Sequence, residues 1–81
     1  MTRHDLVLPP LEMGDQPLVA SLWLVEAGSR VSEDQPILEV LAGPATVDLP
    51  SPADGVLSEV FVAEDDTLTV GQRLAVIESE P

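Results

Sequence analysis

The sequence predicts an all-β domain, folded as a sandwich or flattened barrel of eight short strands. Short runs rich in valine, leucine and isoleucine alternate with turn-forming residues, at the spacing typical of such folds. Prolines, eight in all, interrupt the stretches in which apolar residues follow a helical period, so helices are not expected. The length of 81 residues allows one domain, which we expect to span residues 1–81.

Each predicted strand is a short apolar or alternating run between turn signals. The predicted strands are His4–Leu8, Leu18–Val25, Arg30–Val31, Ile37–Ala42, Ala45–Leu49, Val56–Val62, Thr67–Thr69 and Leu74–Glu78. The fifth alternates most regularly, which predicts that Val47 and Leu49 face the core while Thr46 and Asp48 face water.

An internal repeat supports this arrangement. A shift of 37 residues superposes apolar and polar positions of the two halves: Val25 on Val62, Val31 on Leu68, Gln35 on Gln72, Ile37 on Leu74 and Val40 on Ile77. Such a repeat predicts two similar hairpin units that pack face to face, because neither unit can bury its apolar face alone.

The charge balance restricts the partners. Fifteen acidic residues oppose only Arg3, Arg30 and Arg73, which gives a net charge of −12. A surface this negative repels nucleic-acid phosphates and anionic lipids but permits a basic protein partner. The same charge favours a soluble monomer. No apolar run is long enough to cross a membrane and no signal peptide is recognisable, so we expect a cytoplasmic protein.

The residue inventory does not support an enzyme. The chain has no cysteine and one histidine, His4, and no serine has the histidine and acid neighbours of a nucleophile. The acidic turn Glu64-Asp65-Asp66 lacks the ligand spacing of a calcium loop, so no metal site is expected. Trp23 lies in a predicted strand and is expected in the core rather than on a ligand platform.

The segment from Leu38 to Val56 resembles the attachment region of the lipoyl and biotinyl carrier domains. In the lipoyl branch, Glu-x-Asp-Lys-Ala precedes x-x-Glu/Asp-Val-x-Ser-Pro-x-x-Gly, and here Asp48, Ser51-Pro52 and Gly55 match the second part. The resemblance extends over nearly the whole chain. It implies two four-stranded antiparallel sheets in a flattened barrel with a near two-fold axis, in agreement with the strand count and the repeat.

The resemblance also identifies a missing residue. Family members attach lipoic acid or biotin to a lysine at a hairpin tip. The alignment places Pro44 at that lysine, Gly43 at the preceding aspartate and Ala45 at the following alanine. Proline has no side-chain amine and the chain contains no lysine, so neither covalent lipoate nor biotin is expected as a cofactor.

The loop from Leu11 to Pro17 is the candidate partner surface. In lipoyl domains the corresponding loop lies beside the attachment hairpin and helps the partner enzyme to recognise the domain. Glu12, Met13, Gly14 and Asp15 are therefore candidate partner-binding residues. The alternative is a plain connecting loop.

Two functions remain open. The first is a non-catalytic binding or assembly module whose partners are dehydrogenase or acyltransferase components of 2-oxo acid dehydrogenase-type complexes, or ligation enzymes. The second is a decayed relative of a swinging-arm acyl-carrier domain, in which Gly43-Pro44 is simply a stable turn and no carrier role remains.

Overall fold

Eight strands account for most of the chain. The computed structural model describes residues 2–12 and 14–79. The strands are β1 (Thr2–Val7), β2 (Leu18–Trp23), β3 (Arg30–Val31), β4 (Pro36–Ala42), β5 (Ala45–Pro50), β6 (Gly55–Val60), β7 (Thr67–Leu68) and β8 (Arg73–Ser79). Within these two ranges the chain forms no helix, and hence none that could cross a membrane.

The strands form two four-stranded antiparallel sheets, as predicted. One, the β8 sheet, has the order β1-β8-β6-β3, and the other, the β4 sheet, has the order β5-β4-β2-β7. All strand pairs between the described residues are antiparallel. Strand pairing there does not join the sheets into a closed barrel, so the architecture is the sandwich form of the prediction.

The boundaries of the strands agree with the predictions to within two residues. Differences of two residues occur at β1, which begins at Thr2 instead of the predicted His4, and at β2 and β6, which end at Trp23 and Val60 instead of the predicted Val25 and Val62. The chain turns soon after β2, where Ser29 N donates to Glu26 O (3.0 Å), and soon after β6, where Asp66 N donates to Ala63 O (3.1 Å). The apolar runs in the sequence at β2 and β6 therefore extend past the last residues that pair in the sheets.

The predicted repeat is confirmed in the backbone. Strands β2, β3 and β4 begin 37 residues before β6, β7 and β8. The turns obey the same offset: Ser32 N donates to Gln35 Oε1 and Thr69 N to Gln72 Oε1, both at 2.9 Å.

The prediction that the two halves are separate hairpin units is wrong. Each sheet takes two strands from each half, so that β8 lies between β1 and β6, and β4 lies between β5 and β2. A two-stranded hairpin is marginal in water, whereas interleaving places every long strand in a four-stranded sheet.

The core lies between the two sheets and is aliphatic. The largest fully buried apolar side chains are Leu8, Ile37, Leu38, Leu57, Leu74, Ile77, Val40 and Val76. Trp23, predicted in the core, packs half-buried against the edge of this core, and its indole Nε1 donates to Val62 O (3.0 Å).

The predicted alternation along β5 is also confirmed. Leu49 is only 2% exposed and Val47 is half-buried against the core, whereas Thr46 and Asp48 are exposed. This assignment sets the register of the hairpin that carries the candidate site, because a slip by one residue exchanges the two faces.

Substitutions in β5 test this register. Leu49→Ala is expected to lower the free energy of unfolding by about 2–4 kcal/mol, because it removes buried methyl groups and leaves a cavity. Asp48→Asn, on the exposed face, is expected to change it by less than about 0.5 kcal/mol. Urea denaturation followed by circular dichroism measures both, and a larger cost for Asp48→Asn would contradict the register.

Candidate partner-binding site at the β4–β5 turn

The β4–β5 hairpin closes with a tight turn. Ala42 pairs with Ala45, so Gly43 and Pro44 alone form the connection. Gly43 has a φ of +59°, in the left-handed region, and the ring of Pro44 holds its φ near about −65°. A positive φ followed by a negative one is the pattern of a type II′ turn, whose twist matches that of antiparallel strands. The predicted Gly-Pro turn is thus confirmed.

The β1–β2 loop (residues 8–17) lies directly beside this turn. Gly43 N donates to Pro17 O (3.2 Å). A Cβ on Gly43 would overlap the side-chain amide of Gln16, so this side chain lies against the tip of the hairpin. The structure therefore brings together the two segments that the resemblance implied were neighbours.

Three of the four predicted partner-binding residues are exposed on this loop. Glu12, Gly14 and Asp15 face solvent, and Glu12 and Gly14 have φ angles of 55° and 70°. Met13 lies outside the described residues. Pro44 is exposed at the neighbouring tip and Ala45 is half-buried. Carboxylates and a turn backbone are thus presented on one surface.

An open pocket lies next to the loop. Its volume is about 230 Å³, and it is lined by Pro10, Leu11, Glu12, Gly14, Leu18 and Val70. The pairing of Leu18 with Leu68 brings the β7–β8 turn, which carries Val70, to the loop. Sequence reasoning missed Val70 and Leu18, because only strand pairing and loop packing connect them with the hairpin, whereas Gln16 lies in the predicted loop from Leu11 to Pro17.

Two arginines of the β8 sheet, Arg3 and Arg73, form ion pairs with acidic residues of the same sheet. Arg3 contacts Glu59 (3.5 Å) and Glu78 (4.0 Å), and Arg73 contacts Asp5 (3.9 Å) and lies over the Phe61 ring, 4.6 Å from its centroid. These exposed pairs add little to stability. Their effect is on charge distribution: they neutralise acids of the β8 sheet, whereas Glu12 and Asp15 leave the loop negative.

The other candidate side chains have structural surroundings. His4 is half-buried on β1, opposite Ile77. In the acidic turn, the Asp66 carboxylate accepts a hydrogen bond from Ala63 N (2.8 Å). Over residues 2–12 and 14–79, no group of three His, Cys, Asp or Glu side chains is placed to hold a metal ion.

Comparison with known proteins identifies the family. The family model described as "Biotin-requiring enzyme", that of the biotin/lipoyl proteins, matches residues 12–77. The chain belongs to the biotin/lipoyl family. The resemblance inferred from the attachment segment is thereby confirmed.

Two curated relatives are much longer proteins. The chain is 42% identical over 55 residues to the dihydrolipoyllysine-residue acetyltransferase component of the pyruvate dehydrogenase complex of Corynebacterium glutamicum, covering 68% of this chain and 8% of that protein. It is 31% identical over 80 residues to the lipoamide acyltransferase component of the branched-chain alpha-keto acid dehydrogenase complex of Bacillus subtilis, covering 99% of this chain and 19% of that protein. The chain thus spans less than a fifth of the length of either relative.

A solved structure has the same fold. The solution structure of the lipoyl domain of the 2-oxoglutarate dehydrogenase complex of Azotobacter vinelandii superposes with a TM-score of 0.76, over 95% of this chain and 98% of that domain. Sequence identity is 22%, so the likeness concerns the fold alone. The fold of this biotin/lipoyl family member is therefore that of a lipoyl domain.

Proposed function

We propose that this single domain is a lipoyl-type module that carries neither lipoate nor biotin and binds protein components of 2-oxo acid dehydrogenase-type complexes. The observation that carries the proposal is the absence of lysine from all 81 residues, combined with a hairpin tip made only of Gly43 and Pro44. Attachment of either group forms an amide with a lysine amine, and no side chain here provides that amine.

The partner class follows from the relatives and from the charge. The Corynebacterium glutamicum and Bacillus subtilis relatives are components of dehydrogenase complexes. The net charge of −12 and the exposed Glu12 and Asp15 favour a basic protein surface and disfavour nucleic acid and anionic membranes. We place the domain in the cytoplasm, as a monomer without catalytic residues or a metal.

A decayed carrier domain is the second candidate. It is favoured by the geometry of the tip: Gly43 at +59° followed by proline forms a favourable turn that requires no partner to explain it. The binding module and the decayed carrier differ in one measurable property, because only the binding module is expected to bind a specific partner protein.

The first test concerns modification. After incubation with a lipoate ligase, ATP and lipoate, the intact protein is expected to show no increase in mass, because it offers no lysine amine. An authentic lipoyl domain treated in parallel shows that the ligase is active. A mass increase located on a side chain of this chain would contradict the proposal.

The second test concerns docking. Glu12→Lys with Asp15→Lys is expected to weaken binding to the dehydrogenase or acyltransferase component encoded nearby in the genome by about tenfold or more, since charges steer and orient association. Binding of the unaltered domain is expected to weaken above about 0.15 M salt, where the screening length is about 8 Å. Isothermal titration calorimetry at two salt concentrations measures both effects.

The control is a double charge reversal elsewhere. Asp66 is unsuitable because its carboxylate accepts the hydrogen bond from Ala63 N. Glu26 and Glu33 are exposed, and no side-chain hydrogen bond is found for either within the described residues, so Glu26→Lys with Glu33→Lys matches the charge change. Equal weakening by the two double variants would show that only net charge matters, and absence of binding at low salt would favour the decayed carrier.

A further inference from the structure

The β1–β2 loop breaks the two-fold symmetry of the domain. Ten residues separate Val7 from Leu18, whereas four separate Pro50 from Gly55 in the equivalent β5–β6 connection. The two loops start alike: Leu8 N donates to Gln72 O (3.0 Å), and Ser51 N donates to Gln35 O (2.8 Å). The additional residues therefore project from a common framework, on the side where the β4–β5 turn lies.

The two equivalent sites differ in what lies beneath the loop. In the short connection, Asp54 Oδ1 accepts a hydrogen bond from Glu33 N (2.6 Å) and closes the site against the neighbouring turn. The position equivalent to Glu33, 37 residues later, is Val70, a residue that is 47% exposed. A closed polar contact in one half is thus replaced by an open pocket with an exposed valine in the other.

The pocket has the size and lining for an apolar group. Its volume of about 230 Å³ exceeds the cavity of about 150 Å³ that accommodates a benzene-sized molecule. Leu11, Leu18 and Val70 line it, and Glu12 is the charged member of the described lining. Asp15, also exposed, follows Gly14 of the lining. The pocket therefore combines a mainly apolar lining with one carboxylate in the lining and a second next to it in the chain.

We propose that this pocket binds one apolar side chain, of about the size of leucine, from a basic segment of the partner protein. Arginine or lysine residues flanking that side chain pair with Glu12 and Asp15. This inference rests on the proposed docking function and adds the chemistry of the recognised segment. A second copy of this chain is disfavoured as the occupant, because two domains of charge −12 repel each other.

Peptide probes test the pocket independently of any natural partner. The probe is a blocked pentapeptide with one leucine between two pairs of arginines, and two matched peptides replace the leucine by alanine or the arginines by glutamates. In a titration followed by nuclear magnetic resonance, the leucine peptide is expected to change the amide chemical shifts of Leu11, Leu18 and Val70. The alanine peptide is expected to bind at least about fivefold more weakly, because it loses buried apolar area, and the glutamate peptide not to bind detectably.

Two variants of the same chemistry provide the matched comparison. Val70→Asn, in the pocket, is expected to weaken binding of the leucine peptide at least about fivefold. Val60→Asn, at a valine that is 39% exposed on β6 of the β8 sheet, is expected to leave binding of the leucine peptide unchanged within about twofold. Amide spectra of both variants show whether each remains folded. Equal effects of the two variants, or leucine and alanine peptides of equal affinity, would overturn the inference.

The same variants separate this inference from the proposed function. If a dehydrogenase component binds, and Val70→Asn weakens that binding while Val60→Asn does not, the proposed function and the pocket inference both stand. If the component binds equally well to the unaltered domain and to both variants, the proposed docking function stands and the pocket inference fails. If no component binds while the leucine peptide still shifts the pocket residues, the pocket inference stands and the link with dehydrogenase complexes fails.

Discussion

Gly55→Ala is expected to destabilise the domain by about 3 kcal/mol or more, a large part of the stability of a chain this small. A Cβ at Gly55 would overlap the main-chain carbonyl oxygen of Glu78, and would lie 2.8 Å from its carbonyl carbon and 3.1 Å from Ile77 Cγ2. Both neighbours lie on β8, which pairs directly with β6. Relief of the overlap therefore requires movement of backbone in the centre of the β8 sheet rather than rotation of a side chain.

Gly71→Ala is the control for this prediction. Gly71 has a φ of +88°, and nothing lies within 4 Å of a Cβ placed on it, so alanine there incurs only the backbone strain. That strain is about 1–2 kcal/mol. Urea denaturation of the unaltered domain and of the two variants measures the loss in free energy of unfolding caused by each substitution. If Gly55→Ala cost no more than Gly71→Ala, the close approach of β6 to β8 would not explain the glycine at position 55.

Gly43→Asp with Pro44→Lys is expected to convert a protein that cannot be modified into one that a lipoate ligase modifies. The hairpin already projects a two-residue tip beside an exposed loop, so the missing elements are the amine and its acidic neighbour. Aspartate is one of the residues found at positive φ in tight hairpin turns, and Gly43 has a φ of +59°. Its side chain has to displace Gln16, which is flexible and exposed. Intact mass spectrometry after incubation with ligase, ATP and lipoate is expected to show the addition of one lipoyl group.

Gly43→Asp with Pro44→Arg is the matched control. It has the same charges at the tip but no amine that forms the amide, and it is expected to remain unmodified. Pro44→Lys alone tests whether the aspartate is needed. A Gly43→Asp, Pro44→Lys protein that is folded, as judged by its amide spectrum, yet unmodified would show that the surroundings of the turn have diverged from those of a ligase substrate.

Local features of the site were predictable because they depend on neighbouring residues. Alternation along β5 follows from the two-residue period of a strand, which assigns Leu49 to the core and Asp48 to solvent without knowledge of the partner strand. The tight turn at Gly43-Pro44 follows from the backbone preferences of those two residue types. The position of the β1–β2 loop beside that turn followed from the family resemblance.

The sequence by itself determined that the domain is all-β, that its halves repeat, that it is strongly acidic and that it contains no lysine. Only the tertiary structure decided how the halves combine, since the 37-residue repeat is equally compatible with separate and with interleaved units. It also decided the contact of Gly55 with Glu78 and the pocket between the β1–β2 loop and Val70. Composition and periodicity report residue chemistry and the environment of near neighbours. These contacts instead join residues that are far apart in the chain. Only the pairing of β6 with β8 and of β2 with β7 brings those residues together.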